Sequence, residues 1–286
     1  MGHLQYAVHA YAWTGRWSNE TLDLVNRAKE LGFDIIEIPL MELETVDPEA
    51  VRRRLDAVDM GVVTSTAVDE AHDPTAEDER TRRAAVEYLK ACAKATAQMG
   101  AGVFTGVTYS ALGRRISGMP DERHWDRAAA ALKETAQYAQ DLGVTIGIEP
   151  VNRYETFLIN TGEQALRLAD MVGEPNVKVH LDAYHMNIEE EDFYEATLAA
   201  VPRLCHYHLS ESHRGTVGTG LVDWDAVMRA LADGGYSGVV GMESFIQVSP
   251  AMAGATCIWR RLAEDTDQSL SEGLAYLRAL EAQHYA

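Results

Sequence analysis

Four apolar runs in the second half of the chain each end in a side chain that can hold a metal ion or carry a proton. Glu149 closes VTIGIE, Asp182 closes VKVHLD, His208 closes LCHYH and Glu243 closes GVVGME. The intervals are 33, 26 and 35 residues, each about the length of one strand–helix unit. Three carboxylates and one imidazole make a mostly hard-oxygen donor set, which suits Mn²⁺, Mg²⁺ or Co²⁺ better than a structural zinc. The zinc-protease pattern H-E-x-x-H is absent, and no cysteine falls where it could join the set. One acidic residue at a strand end is commonly a solvated cap. Four in succession point to a divalent-metal site on the C-terminal face of a barrel.

The elements that would carry these residues alternate along the whole chain. Short β-rich runs are read at Gln5–His9, Ile35–Ile38, Gly61–Ser65, Val103–Gly106, Val144–Ile148, Val177–Leu181, Leu204–His208 and Gly238–Met242. Amphipathic stretches between them, such as Glu20–Leu31, Glu77–Met99, Asp126–Leu142, Gly162–Val172 and Trp224–Asp233, read as helices. Several end in a glycine just before the next strand (LGF at 31–33, MGA at 99–101, LGV at 142–144), as a left-handed helix terminus requires. Apolar strands alternating with helices imply a parallel sheet buried on both faces. A doubly wound sheet would carry a Gly-rich turn after its first strand, and none follows Gln5–His9. The expectation is a single-domain (β/α)₈ TIM barrel over residues 1–286. Its last segment, Ile246–Ala286, begins as a loop over the barrel mouth and becomes an eighth helix through Leu270, Leu274, Leu277 and Leu280.

The formal charge is 25 − 44 = −19, and the basic residues are scattered among acids. Such a surface disfavours nucleic acid and anionic membranes and suits a small neutral substrate. No run approaches the roughly 18 apolar residues of a membrane span, and no secretory leader is visible. Three cysteines without paired spacing read as reduced thiols in the cytoplasm.

On a strand, residues two apart share a face. Gly147 therefore sits beside Glu149, His180 beside Asp182, His206 beside His208 and Gly241 beside Glu243. The glycines are expected to leave room for a metal and substrate. His180 and His206 are expected as interior histidines, with His206 orienting the metal site. His72, His124 and His213 are expected at the surface.

The flanking stretches EPVNRYE (149–155), LDAYHMNIEE (181–190), HYHLSESHRG (206–215) and MESF (242–245) resemble those of the ketose 3-epimerases. That family acts on D-tagatose, D-allulose (psicose) and L-ribulose and lies within the xylose-isomerase-like barrels. The resemblance extends to LGFDIIEIPL at the second strand and IWRRLAEDTDQSLSEGLAYLR at the C-terminal helix. It implies that Glu149, Asp182, His208 and Glu243 bind a divalent metal, Mn²⁺ or Co²⁺ foremost with Mg²⁺ as an option. It implies that Glu149 and Glu243 also form the catalytic acid–base pair. Glu155, His185 and Arg214 would hydrogen-bond the O1–O2 end of the ketose, and Trp13, Trp17 and Phe245 would form the apolar wall at its far end. A homodimer or homotetramer is implied too. The family often has EVVNRFE and an EPF or EPL turn where this chain has EPVNRYE and ESF. His9 stands where several members carry an aromatic residue, so an imidazole is expected near O4–O6.

Inverting C3 requires removing the proton alpha to the C2 carbonyl and returning one to the opposite face. Two carboxylates on opposite sides of C3 can share that work, while a metal at O2 and O3 stabilises the enediolate. The region after strands seven and eight carries SESHRG and ESFIQ instead of a Gly-rich phosphate cradle, so the sugar is expected to be unphosphorylated. Aldose–ketose isomerisation on the same scaffold is the nearest alternative. A multi-metal nuclease of the same barrel would need more histidine ligands and a basic groove.

Overall fold

The computed structural model describes residues 4–246 and 249–285. The strands are β1 Gln5–His9, β2 Ile35–Pro39, β3 Gly61–Ala67, β4 Val103–Val107, β5 Thr145–Ile148, β6 Val177–Asp182, β7 Leu204–His208 and β8 Val239–Met242. All pair in parallel, and β8 returns to β1, closing an eight-stranded barrel in chain order. The helices are α1 Leu24–Glu30, α2 Pro48–Val58, α3 Glu79–Met99, α4 Glu122–Asp141, α5 Gly162–Val172, α6 Ala183–Glu189, α7 Phe193–Ala200, α8 Trp224–Asp233, α9 Pro250–Thr256 and α10 Thr266–His284. Gly32, Gly100 and Gly143 take φ of 89°, 86° and 72°, the left-handed helix ends read from the sequence.

Some boundaries differ from the sequence reading for local reasons. The stretch from Glu20 to Leu31 divides into a 3₁₀ turn at Asn19–Thr21, held by a Ser18–Thr21 capping box, and α1. The α4 helix begins before Asp126, because Asp121 and His124 cap each other's backbone N–H groups. His124 is thus a half-buried capping residue and not a free surface one. Between the β8 loop and α10, the terminal segment carries the short helix α9, which leans over the barrel mouth. The first three residues, Ala286 and Gln247 of the ESFIQ stretch lie outside the described residues.

Strand alternation sorts the side chains into an outer and an inner set. Val8, Ile36, Ile38, Phe104, Ile146, Ile148, Leu181 and Val240 join the large apolar core beneath the helices. Inside the barrel, Ala7, Ile35 and Val63 form a separate small apolar cluster, with Val103 and Val239 against it. The next residues up the strands are polar: His9, Glu37, Ser65, Thr105, His180 and His206, all buried. Above these come Glu149, Asp182, His208 and Glu243. Going up the barrel, the interior therefore changes from an apolar floor to a polar middle layer and then to an acidic rim.

Candidate active site

The four strand-end residues converge on one ring nitrogen. His208 Nδ1 lies 3.6 Å from Asp182 Oδ2 and 3.8 Å from both Glu149 Oε1 and Glu243 Oε2. These separations are too long for hydrogen bonds, and Nδ1 is buried without a partner. The ligand atoms of Glu149, Asp182 and His208 all lie within 4.8 Å of one another. Asp182 is oriented by the Tyr184 N–H, which donates to Oδ1 at 2.7 Å as α6 begins, leaving Oδ2 for the cluster.

His208 is aimed by a residue that the sequence reading passed over. Its Nε2 donates to Glu37 Oε2 at 2.8 Å, and His206 Nε2 donates to the same oxygen at 2.8 Å. With the Nε2 proton held by Glu37, Nδ1 is the nitrogen that would give up its proton and offer a lone pair to a metal. Burial opposes ionisation of Glu37, but His208, His9 and His206 outweigh it and hold its carboxyl well below the usual range. The signal for Glu37 was present as the one acid inside the apolar run IIEIP. Finding its partners required the register that brings β2 opposite β7.

The electrostatics call for a cation at the point of convergence. Burial works against charge on His208, yet Glu37, Asp182 and Glu149 outweigh it and push its ring up to about 10. Burial, reinforced by Asp182 against the pull of His208, pushes Glu149 up to about 8. Asp182 stays well below the carboxylate range despite burial, because Arg214 and His185 face it. An unpartnered imidazole nitrogen ringed by three carboxylates fits a divalent ion of the Mn²⁺, Co²⁺ or Mg²⁺ kind.

Gly147 and Gly241 do leave room, but neighbouring side chains fill it. A Cβ on Gly241 would lie 3.0 Å from His206 Cε1, and one on Gly147 would lie 2.5 Å from Thr105 Oγ1. The space expected for metal and sugar is thus taken by the polar middle layer. His180 donates through Nδ1 to Thr105 Oγ1 at 2.8 Å, as Thr105 in turn donates to the Gly147 carbonyl.

A cavity of about 370 Å³ opens above the cluster, lined by Glu149, Glu155, His185, His208, Arg214 and Glu243 among others. His185 accepts at Nδ1 from the Asn152 backbone N–H at 3.1 Å and from Asn152 Nδ2 at 2.9 Å. Its Nε2 faces the Arg214 Nη2 donor at 3.1 Å, so the ring is held between Asn152 and Arg214. Asn152 Nδ2 also donates to Glu155 Oε1 at 2.8 Å, joining the two residues. The Arg214 guanidinium bonds Asp182 Oδ2 at 3.1 Å and pairs closely with Glu243, while stacking 4.1 Å from the Tyr184 ring and 5.2 Å from that of Phe245.

The other sequence-nominated residues separate into two groups. Phe245 and His9 line the cavity. His9 accepts the Tyr11 N–H at Nδ1 (3.1 Å), and its Nε2–H reaches Ser65 Oγ at 3.2 Å and faces Glu37 and Glu243. It is buried where the cavity meets the polar layer. Trp13 and Trp17 do not line the cavity. Trp13 Nε1 donates to Asp267 on α10 at 2.7 Å, under the Arg27 guanidinium. Trp17 is buried in the core beneath the helices. The 3₁₀ turn at Ala10–Ala12 after β1 leaves Tyr11 and Gly15 at the cavity while the Trp13 and Trp17 side chains pack away from it. Tyr11, Met41, Leu112 and Met252 form the apolar wall with Phe245.

This barrel and its rim define the class. Residues 25–280 match the xylose isomerase-like TIM barrel family. The chain is 35% identical over 283 residues to the ketose 3-epimerase of Arthrobacter globiformis, covering 96% of each. It is 35% identical over 278 residues to the L-ribulose 3-epimerase of Methylomonas sp. (strain DH-1), covering 96% of this chain and 97% of that one. The crystal structure of the D-allulose 3-epimerase from Methylomonas sp. in complex with D-allulose superposes with a TM-score of 0.92 at 34% identity, over 100% of this chain and 98% of that one. The chain belongs to the ketose 3-epimerase family of the xylose isomerase-like TIM barrels.

Proposed function

We propose that this enzyme inverts C3 of a free, unphosphorylated ketose of the D-tagatose, D-fructose, D-allulose and L-ribulose class. The observation that carries the reading is the placement of Glu149 and Glu243. They extend from β5 and β8, which two further strands separate, yet both reach within 3.8 Å of His208 Nδ1. A ketose held over the cluster would lie between these two carboxylates, one for each face of C3.

Glu149, Asp182, His208 and Glu243 would hold a divalent ion, Mn²⁺ or Co²⁺ foremost and Mg²⁺ as a third candidate. When bound, the ion polarises the C2 carbonyl and offsets charge that develops on the sugar oxygens. One glutamate takes the C3 proton and the other delivers a proton to the opposite face, their roles exchanging with the direction of reaction. Burial holds the proton affinity of Glu149 high in the metal-free site, and a bound cation would bring it down toward that of a base at neutral pH. His185, Glu155 and Arg214 would hydrogen-bond the O1–O2 end of the sugar, with Asn152 and Arg214 holding the His185 ring in place. Tyr11, Met41, Leu112, Met252 and Phe245 give the cavity an apolar side against which the sugar carbons can pack.

The formal charge of −19 favours a neutral sugar over nucleic acid, and no described helix is long and apolar enough to cross a membrane. The described cysteines are unpaired. We place the enzyme in the cytoplasm as a homodimer or homotetramer.

The test is product analysis on hexuloses and pentuloses with Mn²⁺, Co²⁺ or Mg²⁺ added back after chelation, in D₂O. The expected product is the C3 epimer with deuterium at C3. An aldose product would assign the isomerase alternative, and a C3 epimer that kept its original hydrogen would exclude the two-carboxylate proton transfer.

A further inference from the structure

Glu211 lies three residues beyond His208, fully buried, outside the cavity and the metal cluster. Its Oε1 accepts the N–H groups of Ser212 at 2.8 Å and Val222 at 3.3 Å. Its Oε2 accepts the Gly218 N–H at 3.0 Å and the Trp224 indole N–H at 2.9 Å. All four partners can only donate, so an ionised carboxylate, accepting at both oxygens, is the group that satisfies them. Every partner comes from residues 212–224, so the β7–α8 loop is wrapped around its own acid. Gly220 approaches so closely that a Cβ there would lie 2.3 Å from Oε1.

The same residue fixes the backbone of Arg214. The Glu211 carbonyl accepts the Arg214 N–H at 2.7 Å, closing the turn in which Arg214 takes a φ of 61°. A left-handed arginine is uncommon and persists where its surroundings enforce it. From that turn the Arg214 carbonyl accepts the Phe245 N–H at 2.9 Å, coupling the loop to the β8 end of the cavity.

We infer that Glu211 is a positioning residue: its carboxylate gathers four donors of the β7–α8 loop into the turn that delivers the Arg214 guanidinium to the cavity. Glu211 touches neither sugar nor ion and acts through Arg214. The inference rests on Arg214 anchoring the oxygens of a ketose.

The experiment is Glu211→Gln, which turns one acceptor oxygen into an NH₂ group facing N–H donors. The expected result is a fall in kcat/KM for the ketose of roughly 10- to 100-fold, mainly through KM. Affinity for Mn²⁺ alone should move less than kcat/KM, because the metal ligands stand on strand ends and feel the loop only through the contacts of Arg214 with Asp182 and Glu243. The Glu211→Gln/Arg214→Ala double variant should be no worse than Arg214→Ala alone. Amide exchange at Ser212, Arg214, Gly218 and Phe245 should accelerate in Glu211→Gln. If that variant folds poorly, Trp224→Phe removes one donor and keeps the carboxylate; a smaller loss with the same non-additivity is expected. Wild-type kcat/KM in either variant, losses that add to those of Arg214→Ala, or unchanged amide exchange would overturn the inference and leave the epimerase reading intact. Failure of the wild-type protein to epimerise any ketose would sink that reading instead, while amide exchange would still report whether Glu211 sets the loop.

Discussion

Glu37→Gln separates the oriented-imidazole account of the metal site from a merely structural one. The substitution keeps shape and one accepting oxygen, and it removes the charge shared by the His206 and His208 Nε2–H groups at 2.8 Å each. A hydrogen bond to a charged acceptor contributes about 1.5–3 kcal/mol and a neutral one about 1. Losing the charge from two such bonds therefore costs about 2 kcal/mol. If that cost falls on holding His208 with Nδ1 forward, Mn²⁺ affinity drops about 30-fold, within the 10- to 100-fold range for partners of metal-ligating histidines. The assay is competition for Mn²⁺ against a chelating dye, with far-UV circular dichroism confirming the barrel. The ketose KM at saturating Mn²⁺ should move much less than the metal affinity. Mn²⁺ binding within about threefold of wild type, with the barrel intact, would refute the claim that Glu37 sets the donor nitrogen.

The other expectations can be tested with the same preparations. Glu243→Gln should lower turnover by about 10²- to 10⁴-fold while the ketose still binds, as equilibrium dialysis with labelled sugar would show. Mn²⁺ at about 100 times its Kd should add about 2.7 kcal/mol of stability, read in calorimetry as a rise in Tm of several degrees. In chelator-stripped protein, Tm should fall as pH rises from 6.5 to about 8. Both Glu149, pushed up by burial to about 8, and His208, pushed up to about 10 by carboxylates that outweigh its burial, hold protons there that the unfolded chain releases. Saturating Mn²⁺ should flatten that slope; a rise in the stripped protein's Tm over the same interval would contradict it. Gly241→Ala should cost about 1–3 kcal/mol and weaken Mn²⁺ binding, since its Cβ would press on His206 at 3.0 Å.

The barrel and the four rim residues could be read from the sequence because both follow from period. Each strand–helix unit has a characteristic length, and each rim residue ends its own apolar run. Glu37 was less accessible, since an acid in one strand becomes meaningful only when paired with histidines about 170 positions away. Trp13 and Trp17 illustrate the converse: nearness to a strand end in sequence did not put them at the cavity, because the loop presents Tyr11 and Gly15 there and turns both indoles to Asp267 and the outer core. The fate of the space beside Gly147 and Gly241 depended on neighbouring strands, which no local pattern reports. The work of Glu211 was hidden because its partners are mostly backbone N–H groups of a loop without periodicity.

The apolar floor of Ala7, Ile35 and Val63 beneath the polar layer has a kinetic consequence. Apolar side chains fill the barrel axis below the polar layer, so ion and sugar would share the cavity above the rim as their way in. On the proposed reading, an ion held by the four strand-end residues would lie deeper than the sugar, so it would arrive first and leave last, with the ketose above it as a stopper. Stripping of Mn²⁺ by a chelator should therefore slow as ketose concentration rises, making the order of loading part of how this enzyme retains its metal.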